Sequence, residues 1–495
     1  MRPPAVRMEV LTLPSLFRSH KTGWLLAGLM LAGACTASSP EVESEAGETA
    51  TPTPSTEASE SPQPEVQGPV GRILEHLEAL DRIARRNGGT RALGSEGYDE
   101  SVSYVSRQMR RLGYSVVSDR FDFDYFVQLS PTRVERLKPR KAYVDGRDIR
   151  AMVYSGAGRV SAPVEPVSFD LRSDDHTGAG CSSDDFSGFP SGSIALLRPG
   201  PCFYRDQVVN AQEAGAAAAV LAFPEFTRAT GVLRPTLLSG AGIEIPALAA
   251  TDGTGVELAR SRTRLRITTR TRYSSRRGVS LIAERPGTQA GDVVMVGGHL
   301  DSVMDGPGIN DNGSGIATIL EMARAVAAKD PEAPVRFAFW GGEEIGLLGS
   351  TAYVESLSSQ QATSIEAYLN FDMVASPNFV RFVYEDGVAP AGSDEITDVF
   401  IRYFNREDIE FETIDLGGRS DHGAFIEQGI PVGGLFTGAE MLKSRRQRSD
   451  YGGRAGASMD GCYHRPCDDI DNINEKVLRE MAGAIRHALF ALLTR

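Results

Sequence analysis

The segment that decides the fold is residues 292–301, which read Asp-Val-Val-Met-Val-Gly-Gly-His-Leu-Asp. Its continuous apolar run predicts a strand that is buried on both faces, as in a parallel sheet covered by helices. The two glycines allow a tight turn, and the polar residues His299 and Asp301 follow where the strand ends. Because ligands bind beyond the carboxyl ends of the strands in open α/β sheets, we expect a functional site at this edge.

The rest of the carboxyl-terminal half repeats this alternation of buried strands and helices. Further strands are predicted at 335–340, 368–371 and 431–436, and helices at 315–328, 347–357, 395–404 and 473–493. Continuous apolar strands that alternate with helices are typical of a sheet covered on both faces. The predicted fold class is therefore α/β, with a mostly parallel mixed sheet flanked by helices.

Side chains that bind metals follow several of the predicted strands. Zinc takes nitrogen and carboxylate ligands, and a pair of zinc ions needs about three protein ligands each, one of them shared. The candidates are His299, Asp311, Asp372, His464 and one of the adjacent residues Glu343 and Glu344. Adjacent residues do not easily point at one metal together, so the other glutamate is free to transfer a proton. The sequence therefore predicts a hydrolase with two metal ions.

The motifs around these residues resemble the zinc aminopeptidase family of secreted bacterial leucyl aminopeptidases, in clan MH, which also contains glutamate carboxypeptidase II and glutaminyl cyclases. The resemblance runs from near Gly71 to the end of the chain. In chain order, the motifs that carry it are His299-x-Asp301-Ser302, Gly308 to Gly315, Phe339 to Ser350, Asn370-x-Asp372-Met373, Ser420-Asp421-His422-x-x-Phe425 and Cys462-Tyr463-His464-x-x-Cys467-Asp468. Each motif alone is weak evidence, but their shared order is highly specific.

The resemblance implies a ligand set for two Zn²⁺ ions per chain. His299 and Asp372 would bind one zinc ion. Glu344 and His464 would bind the other, and Asp311 would bridge the two. This division agrees with the ligand types that zinc prefers.

Three further residues are implied to act around the metals. Glu343 would be the general base, which takes a proton from water and later delivers it to the leaving amine. Tyr463 would donate a hydrogen bond to the scissile carbonyl oxygen. Asp301 would accept the second ring N–H of His299 and so fix its tautomer.

Substrate recognition is less completely specified. Arg419 is a candidate for orienting the substrate, and the acidic residue expected for a free amine is open between Glu412 and Asp415. We expect an exopeptidase that removes an amino-terminal residue, with a bulky apolar residue such as leucine preferred. The alternatives are a glutamate-carboxypeptidase-like exopeptidase, which would need clustered arginines, and a non-catalytic, receptor-like binding protein.

Residues 125–265 interrupt the peptidase pattern, which occupies 70–124 and 266–495. Short β-like segments there surround an alanine-rich helix predicted at 208–218. The block resembles the β-rich protease-associated domain through Gly192 to Arg198, Cys202-Phe203 and Asn210 to Ala216. The resemblance implies an inserted lid or substrate-docking module that has no catalytic residues of its own.

The amino terminus predicts export. Basic residues precede an apolar run at 24–33, which is too short to span a bilayer, so residues 1–34 are typical of a signal peptide. Residues 35–69 are rich in Ser, Thr, Pro and Glu, which indicates a disordered stalk. The sequence is compatible with two outcomes, an ordinary cleavage of the signal peptide or lipidation of Cys35.

The five cysteines favour lipidation. Cys181 with Cys202 and Cys462 with Cys467 form plausible local disulfides in an exported protein, which leaves Cys35 unpaired. We therefore expect a cell-surface lipoprotein or a secreted or periplasmic protein, with the membrane reached only through a lipid.

The composition also limits the partners. The formal net charge of −13 disfavours nucleic acids and anionic membrane surfaces as partners. A peptide substrate and a monomeric state are expected.

Overall fold

The computed structural model describes residues 68–169, 180–260, 263–289, 291–385 and 387–494. The predicted signal peptide, Cys35 and all but the last two residues of the predicted stalk lie outside the described residues. Within these ranges, every helix is too short or too polar to cross a membrane.

The strands of the described ranges form one sheet. They are β1 (Ser115–Arg136), β2 (Lys141–Tyr143), β3 (Ile149–Ala151), β4 (Gly158–Pro166), β5 (Ile194–Leu197), β6 (Ala218–Phe223), β7 (Ala247–Thr251), β8 (Arg264–Arg285), β9 (Val293–His299), β10 (Val335–Trp340), β11 (Ile365–Phe371), β12 (Phe382–Tyr384), β13 (Glu412–Ile414) and β14 (Val432–Phe436). Their order is β13-β12-β14-β11-β9-β10-β8-β4-β5-β6-β7-β3, with β1 paired to β8 and to β2.

Helices connect and cover these strands. They are α1 (Pro69–Arg86), α2 (Glu96–Arg111), α3 (Tyr204–Glu213), α4 (Asp252–Ala259), α5 (Gly315–Ala327), α6 (Leu348–Ser356), α7 (Ser359–Thr363), α8 (Ser393–Arg406), α9 (His422–Glu427), α10 (Arg445–Tyr451) and α11 (Glu475–Leu493).

The strands nearest the predicted site run parallel. β9 lies between β10 and β11 and is parallel to both, and β14 is parallel to β11. β8 and β12 are antiparallel to β10 and β14, which makes the sheet mixed. These pairings confirm the predicted α/β fold class. Since β9, β10 and β11 point the same way, their carboxyl ends meet at one edge of the sheet.

Strand β9 is buried on both faces, as its apolar run predicts. Val294 and Val296 pack into the core that includes the apolar sides of α1, α5, α8 and α11. Met295 points to the opposite face and packs with Phe425 of α9, whose ring stacks on Tyr368 at 3.7 Å. Full burial of each such side chain contributes about 1.5–3 kcal/mol, so the strand that ends at the site is held firmly from both sides.

A ribbon of two long strands joins the peptidase strands to the insert. β1 and β8 pair antiparallel along nearly their whole length, and β4 attaches the parallel strands β5, β6 and β7 to β8. We propose that the insertion at 125–265 begins and ends within this ribbon. The predicted disulfide between Cys181 and Cys202 is formed in the insert.

The alanine-rich helix of the insert lies earlier than the predicted 208–218. It spans Tyr204–Glu213, and Gly215 follows it with a φ of 85°. Ala218, the last residue of the predicted helix, is the first residue of β6 (Ala218–Phe223), which is buried between β5 and β7. Alanine favours helices, but pairing and burial within the sheet outweigh that local preference here.

Candidate metal centre

The candidate site lies where three parallel strands end. His299 is the last residue of β9, Glu343 and Glu344 follow β10, and Asp372 follows β11. In the register of β9 and β10, Trp340 lies opposite His299. The parallel register therefore places the histidine beside the turn that carries both glutamates.

Two loops bring the other candidate ligands to the same edge. Asp311 lies in the turn that precedes α5 and is almost fully buried. His464 lies in a loop closed by the predicted disulfide between Cys462 and Cys467, which is formed. The five predicted ligands thus come together from five separate segments of the chain.

Asp311 lies between the two imidazoles. Its Oδ1 is 3.2 Å from Nε2 of His299, and its Oδ2 is 3.1 Å from Nε2 of His464. On either side, Oδ1 of Asp372 is 3.3 Å from Nε2 of His299, and Oε2 of Glu344 is 3.0 Å from Nε2 of His464. The site therefore has two halves, each with one histidine and one carboxylate, and a carboxylate common to both.

A buried hydrogen-bond network holds Asp311 in place. The backbone N–H of Asp311 donates to Oδ2 of Asp468 at 3.1 Å, and that of Asn310 donates to Oδ1 at 2.9 Å. The side chain of Asn472 also donates to Oδ1 of Asp468, at 2.9 Å, and bonds Asp460. This network links Asp311 to the loop of His464, because Asp468 directly follows that loop.

Arg91 fixes the loop on the other side of Asp311. Its fully buried guanidinium donates to the carbonyls of Pro307 at 2.9 Å and Gly308 at 2.6 Å, and also to that of Leu300. No local sequence pattern indicates this role, because Arg91 lies in the segment between α1 and α2, far along the chain from the carbonyls it binds.

The charges of the cluster favour cations. Burial opposes protonation of His299 and His464, but the surrounding carboxylates outweigh it and hold the pKa of both imidazoles well above their usual range. Burial raises the pKa of Glu343 well above its usual range and that of Glu344 to about 7, and neighbouring carboxylates add to both shifts. A site with this much uncompensated negative charge is stabilised by any bound cation.

The donor set fits zinc. A nitrogen of His299 and carboxylate oxygens of Asp311 and Glu344 lie within 4.8 Å of one another. Oε1 of Glu344 is buried and accepts no hydrogen bond from the described part of the chain, and the neighbour of the buried Oδ2 of Asp311 is Nε2 of His464, itself a candidate ligand, at 3.1 Å. Imidazole nitrogens combined with carboxylate oxygens are the ligands of catalytic zinc, and buried carboxylate oxygens without donors are costly unless a cation binds them.

Asp301 and Glu343 lie beside the cluster. Nδ1 of His299 is 3.0 Å from the backbone carbonyl oxygen of Asp301 and 3.8 Å from its carboxylate, so the nearer partner is the carbonyl and not the predicted carboxylate. That carboxylate accepts the backbone N–H of Glu343 at 3.3 Å. Asp301 therefore orients both the histidine and the turn that carries the predicted base.

Tyr463 and Arg419 line the cavities beside the cluster. The ring of Tyr463 stacks on His464, with centroids 3.8 Å apart. Nη2 of Arg419 donates to Oε1 of Glu440 at 3.2 Å. Glu440 could not be predicted from the sequence, since no motif surrounds it.

Glu412 and Asp415, the two acidic candidates predicted to bind a free amine, form hydrogen bonds away from the cluster. Glu412 accepts a hydrogen bond from Gln447 at 2.9 Å, and Asp415 accepts the backbone N–H of Gly417 at 2.8 Å. Neither residue lines the cavities at the cluster, whereas Glu440 does.

Two cavities open onto the cluster. The smaller, of about 70 Å³, has apolar walls formed by Met373, Leu416, Phe436 and Met441. The larger, of about 180 Å³, extends to aromatic side chains of the insert. The residues that line both cavities are Arg419, Glu440, Tyr463 and His464.

Comparisons with known proteins agree with this architecture. Residues 280–489 match Peptidase family M28, and residues 160–258 match the PA domain. The chain is 39% identical over 422 residues to an aminopeptidase of Pseudomonas aeruginosa. The aligned region covers 83% of this chain and 79% of the relative.

Two other relatives cover a similar share. The chain is 35% identical over 437 residues to the "Probable lipoprotein aminopeptidase LpqL" of Mycobacterium tuberculosis, which covers 84% of this chain and 83% of the relative. It is 34% identical over 410 residues to leucine aminopeptidase 2 of Arthroderma otae, and the aligned region covers 80% of this chain and 79% of the relative.

Solved structures share the fold. The aminopeptidase from Aneurinibacillus sp. strain AM-1 superposes with a TM-score of 0.69 at 24% identity and covers 85% of this chain and 93% of its own. The zinc aminopeptidase BSAP from Bacillus subtilis gives a TM-score of 0.65 at 22% identity, with 86% and 96% covered. The chain therefore belongs to Peptidase family M28, as a metallo-aminopeptidase with an inserted PA domain.

Proposed function

We propose that this enzyme removes a bulky apolar residue, such as leucine, from the free amino terminus of peptides, with two zinc ions bound. The observation that carries the proposal is the small cavity beside the cluster. At about 70 Å³, and with Met373, Leu416, Phe436 and Met441 among its lining residues, its size and chemistry suit one apolar side chain. The leucine aminopeptidase 2 relative supports this preference.

In this proposal each half of the cluster holds one zinc ion. His299 and Asp372 hold the first, Glu344 and His464 hold the second, and Asp311 is shared. Bound zinc supplies a Lewis acid for the carbonyl oxygen and lowers the pKa of water to about 7. The buried Oε1 of Glu344, which has no hydrogen-bond donor among the described residues, and the position of Asp311 between the two imidazoles support their assignment as ligands.

Glu343 moves the proton. Its Oε2 is 4.0 Å from Nε2 of His299, farther than the oxygens of Asp311 and Asp372, and its side chain lines the small cavity. The carboxylate is therefore placed to accept a proton from the attacking water and to donate it to the leaving amine. General acid–base catalysis of this kind contributes about 10²- to 10⁴-fold to the rate.

Tyr463 acts on the scissile carbonyl group. Stacking on His464 fixes its ring at the boundary between the two cavities, which is where the scissile bond lies if the terminal side chain fills the smaller one. The phenol donates a hydrogen bond to the carbonyl oxygen as negative charge develops there.

The charges along the cavities favour a free amino terminus over an acidic carboxyl-terminal residue. Glu440 provides a carboxylate for the substrate ammonium group, and Arg419 orients that carboxylate. The other arginine of the cavity walls, Arg234, binds Asp305 at 3.0 Å. Both arginines are thus paired with carboxylates, whereas a glutamate-carboxypeptidase-like site would need clustered positive charge.

We also propose that the protein is exported. Disulfides are typical of oxidising compartments, and both predicted pairs are formed. The lipoprotein aminopeptidase relative supports lipid attachment at Cys35. Mass spectrometry of the mature amino terminus distinguishes a lipidated Cys35 from a plain cleavage after Ala34.

The activity is tested with matched chromogenic peptides. Leucyl substrates with a free amino terminus should be cleaved, and a zinc chelator should abolish the cleavage. Acetylated leucyl substrates and substrates that report carboxyl-terminal cleavage should not be turned over. Equal rates on free and acetylated substrates would refute the proposal, and zinc-loaded protein with no turnover at all would support a receptor-like binding protein.

A further inference from the structure

We propose that the PA domain forms the binding site for the second residue of the substrate and selects an aromatic or large apolar side chain there. This inference rests on the proposed function. It gives the insert a role in recognising the substrate residue on the carboxyl-terminal side of the scissile bond.

The position of the two cavities sets the direction of the substrate. Both cavities meet at Tyr463, His464 and Glu440, next to the metal cluster. The terminal residue needs room for one side chain, and the small cavity provides it. The leaving peptide continues beyond the scissile bond and therefore needs the larger space, which is the cavity of about 180 Å³.

The insert supplies an aromatic wall to that larger cavity. Tyr204, at the start of α3, meets Phe223 edge to face with ring centroids 5.2 Å apart, and Phe223 stacks on Phe226 at 4.8 Å. Phe223 and Phe226 are buried, while Tyr204 is only partly buried. Two packed rings thus support a third that borders the cavity.

The peptidase part supplies further apolar residues to the lining of the cavity. Leu93, Phe123 and Ile345 line it, and so does Met304, whose side chain is among the most exposed large apolar ones at 39%. A flexible thioether in the same cavity as aromatic rings adapts to side chains of different shape. The cavity therefore favours apolar occupants.

Two ion pairs connect the insert to the peptidase part beside this cavity. Arg150 and Arg234 of the insert bind the two carboxylate oxygens of Asp305 at 2.9 and 3.0 Å. All three side chains are at most 23% exposed. Since Asp305 neighbours Met304, this clamp ties the wall formed by the insert to the wall formed by the peptidase part.

The test compares second-residue selectivity in three proteins. Wild-type enzyme, Tyr204→Ala and Phe203→Ala are assayed on Leu-Phe-amide and Leu-Gly-amide, with zinc content and folding checked in parallel. Phe203 is a matched control, because it precedes Tyr204, is 60% exposed and does not line the cavity. Tyr204→Phe tests whether the ring alone suffices.

The wild type should prefer Leu-Phe-amide. Tyr204→Ala should lower the ratio of the two kcat/KM values about 2- to 10-fold, as expected for the loss of one aromatic contact. Phe203→Ala and Tyr204→Phe should keep the wild-type ratio. An unchanged ratio in Tyr204→Ala, or an equal loss in Phe203→Ala, would overturn this inference and leave the proposed function standing. Failure of the zinc-loaded wild type to cleave either amide would refute the proposed function itself, and this inference with it.

Discussion

Replacing Asp468 by asparagine tests how the protein positions the shared carboxylate. The two oxygens of Asp468 accept three buried hydrogen bonds, from the backbone of Asn310 at 2.9 Å, the backbone of Asp311 at 3.1 Å and the side chain of Asn472 at 2.9 Å. Asparagine keeps the shape but has one acceptor oxygen, so its amide nitrogen must face at least one of these donors.

The expected losses of stability and zinc affinity follow from the buried donor that no longer has an acceptor. A buried donor that loses its acceptor costs about 1–3 kcal/mol, so the free energy of unfolding should fall by that amount. Residues that orient metal ligands typically change metal affinity about 10- to 100-fold when they are mutated. Asp468→Asn should therefore weaken zinc binding within this range, although the residue is not a proposed ligand.

The assay is competition for zinc with a chromophoric chelator, combined with urea unfolding of the metal-free protein. Asp469→Asn is the matched control, because this neighbouring carboxylate is 32% exposed, accepts the local backbone N–H of Asp471 at 3.1 Å and otherwise lies 4.0 Å from Nη2 of the exposed Arg85. If Asp468→Asn binds zinc as tightly as Asp469→Asn, the reasoning that the network positions Asp311 is refuted.

Three further changes have defined outcomes. Glu343→Ala should retain zinc but lose about 10²- to 10⁴-fold in kcat, and a near-wild-type rate would reject it as the base. Glu440→Gln should raise KM for leucyl substrates about 10-fold with a smaller change in kcat, because the amide oxygen still accepts a hydrogen bond from the ammonium group but no longer carries a negative charge. An unchanged KM would exclude Glu440 from amine binding. Burial lowers the pKa of His76 from 6.5 to about 4 in the folded protein, where its ring lies 2.6 Å from the hydroxyl of Tyr104. The unfolded chain thus binds more protons between these values, and the free energy of unfolding should fall as the pH drops from 6.5 to 4. His76→Gln should flatten that slope in urea titrations, and an unaltered slope would contradict the assignment.

The elements around the centre could be predicted because their signals are local. The apolar run before His299 is continuous, and the strands that precede Glu343 and Asp372 are equally clear. Parallel strands bring their carboxyl ends together, so the convergence of these residues followed from the fold class.

The residues that support the centre could not be found in this way. Arg91 acts through a guanidinium that reaches carbonyls more than two hundred positions along the chain. Glu412 and Asp415 are closer to Arg419 in sequence than Glu440 is, but they bind other groups in the fold, whereas Glu440 binds Arg419. Sequence proximity is a poor guide where loops from different strands meet.

The requirement for two zinc ions is tested most directly by the zinc content of purified mature protein, determined together with leucyl-peptide activity. Two zinc ions per chain are predicted for the wild type. Asp311→Ala should lose affinity for both ions and all measurable activity, because its carboxylate lies between the two imidazoles. Wild-type protein that is active with no bound metal, or an Asp311→Ala variant that keeps both zinc ions, would contradict the account.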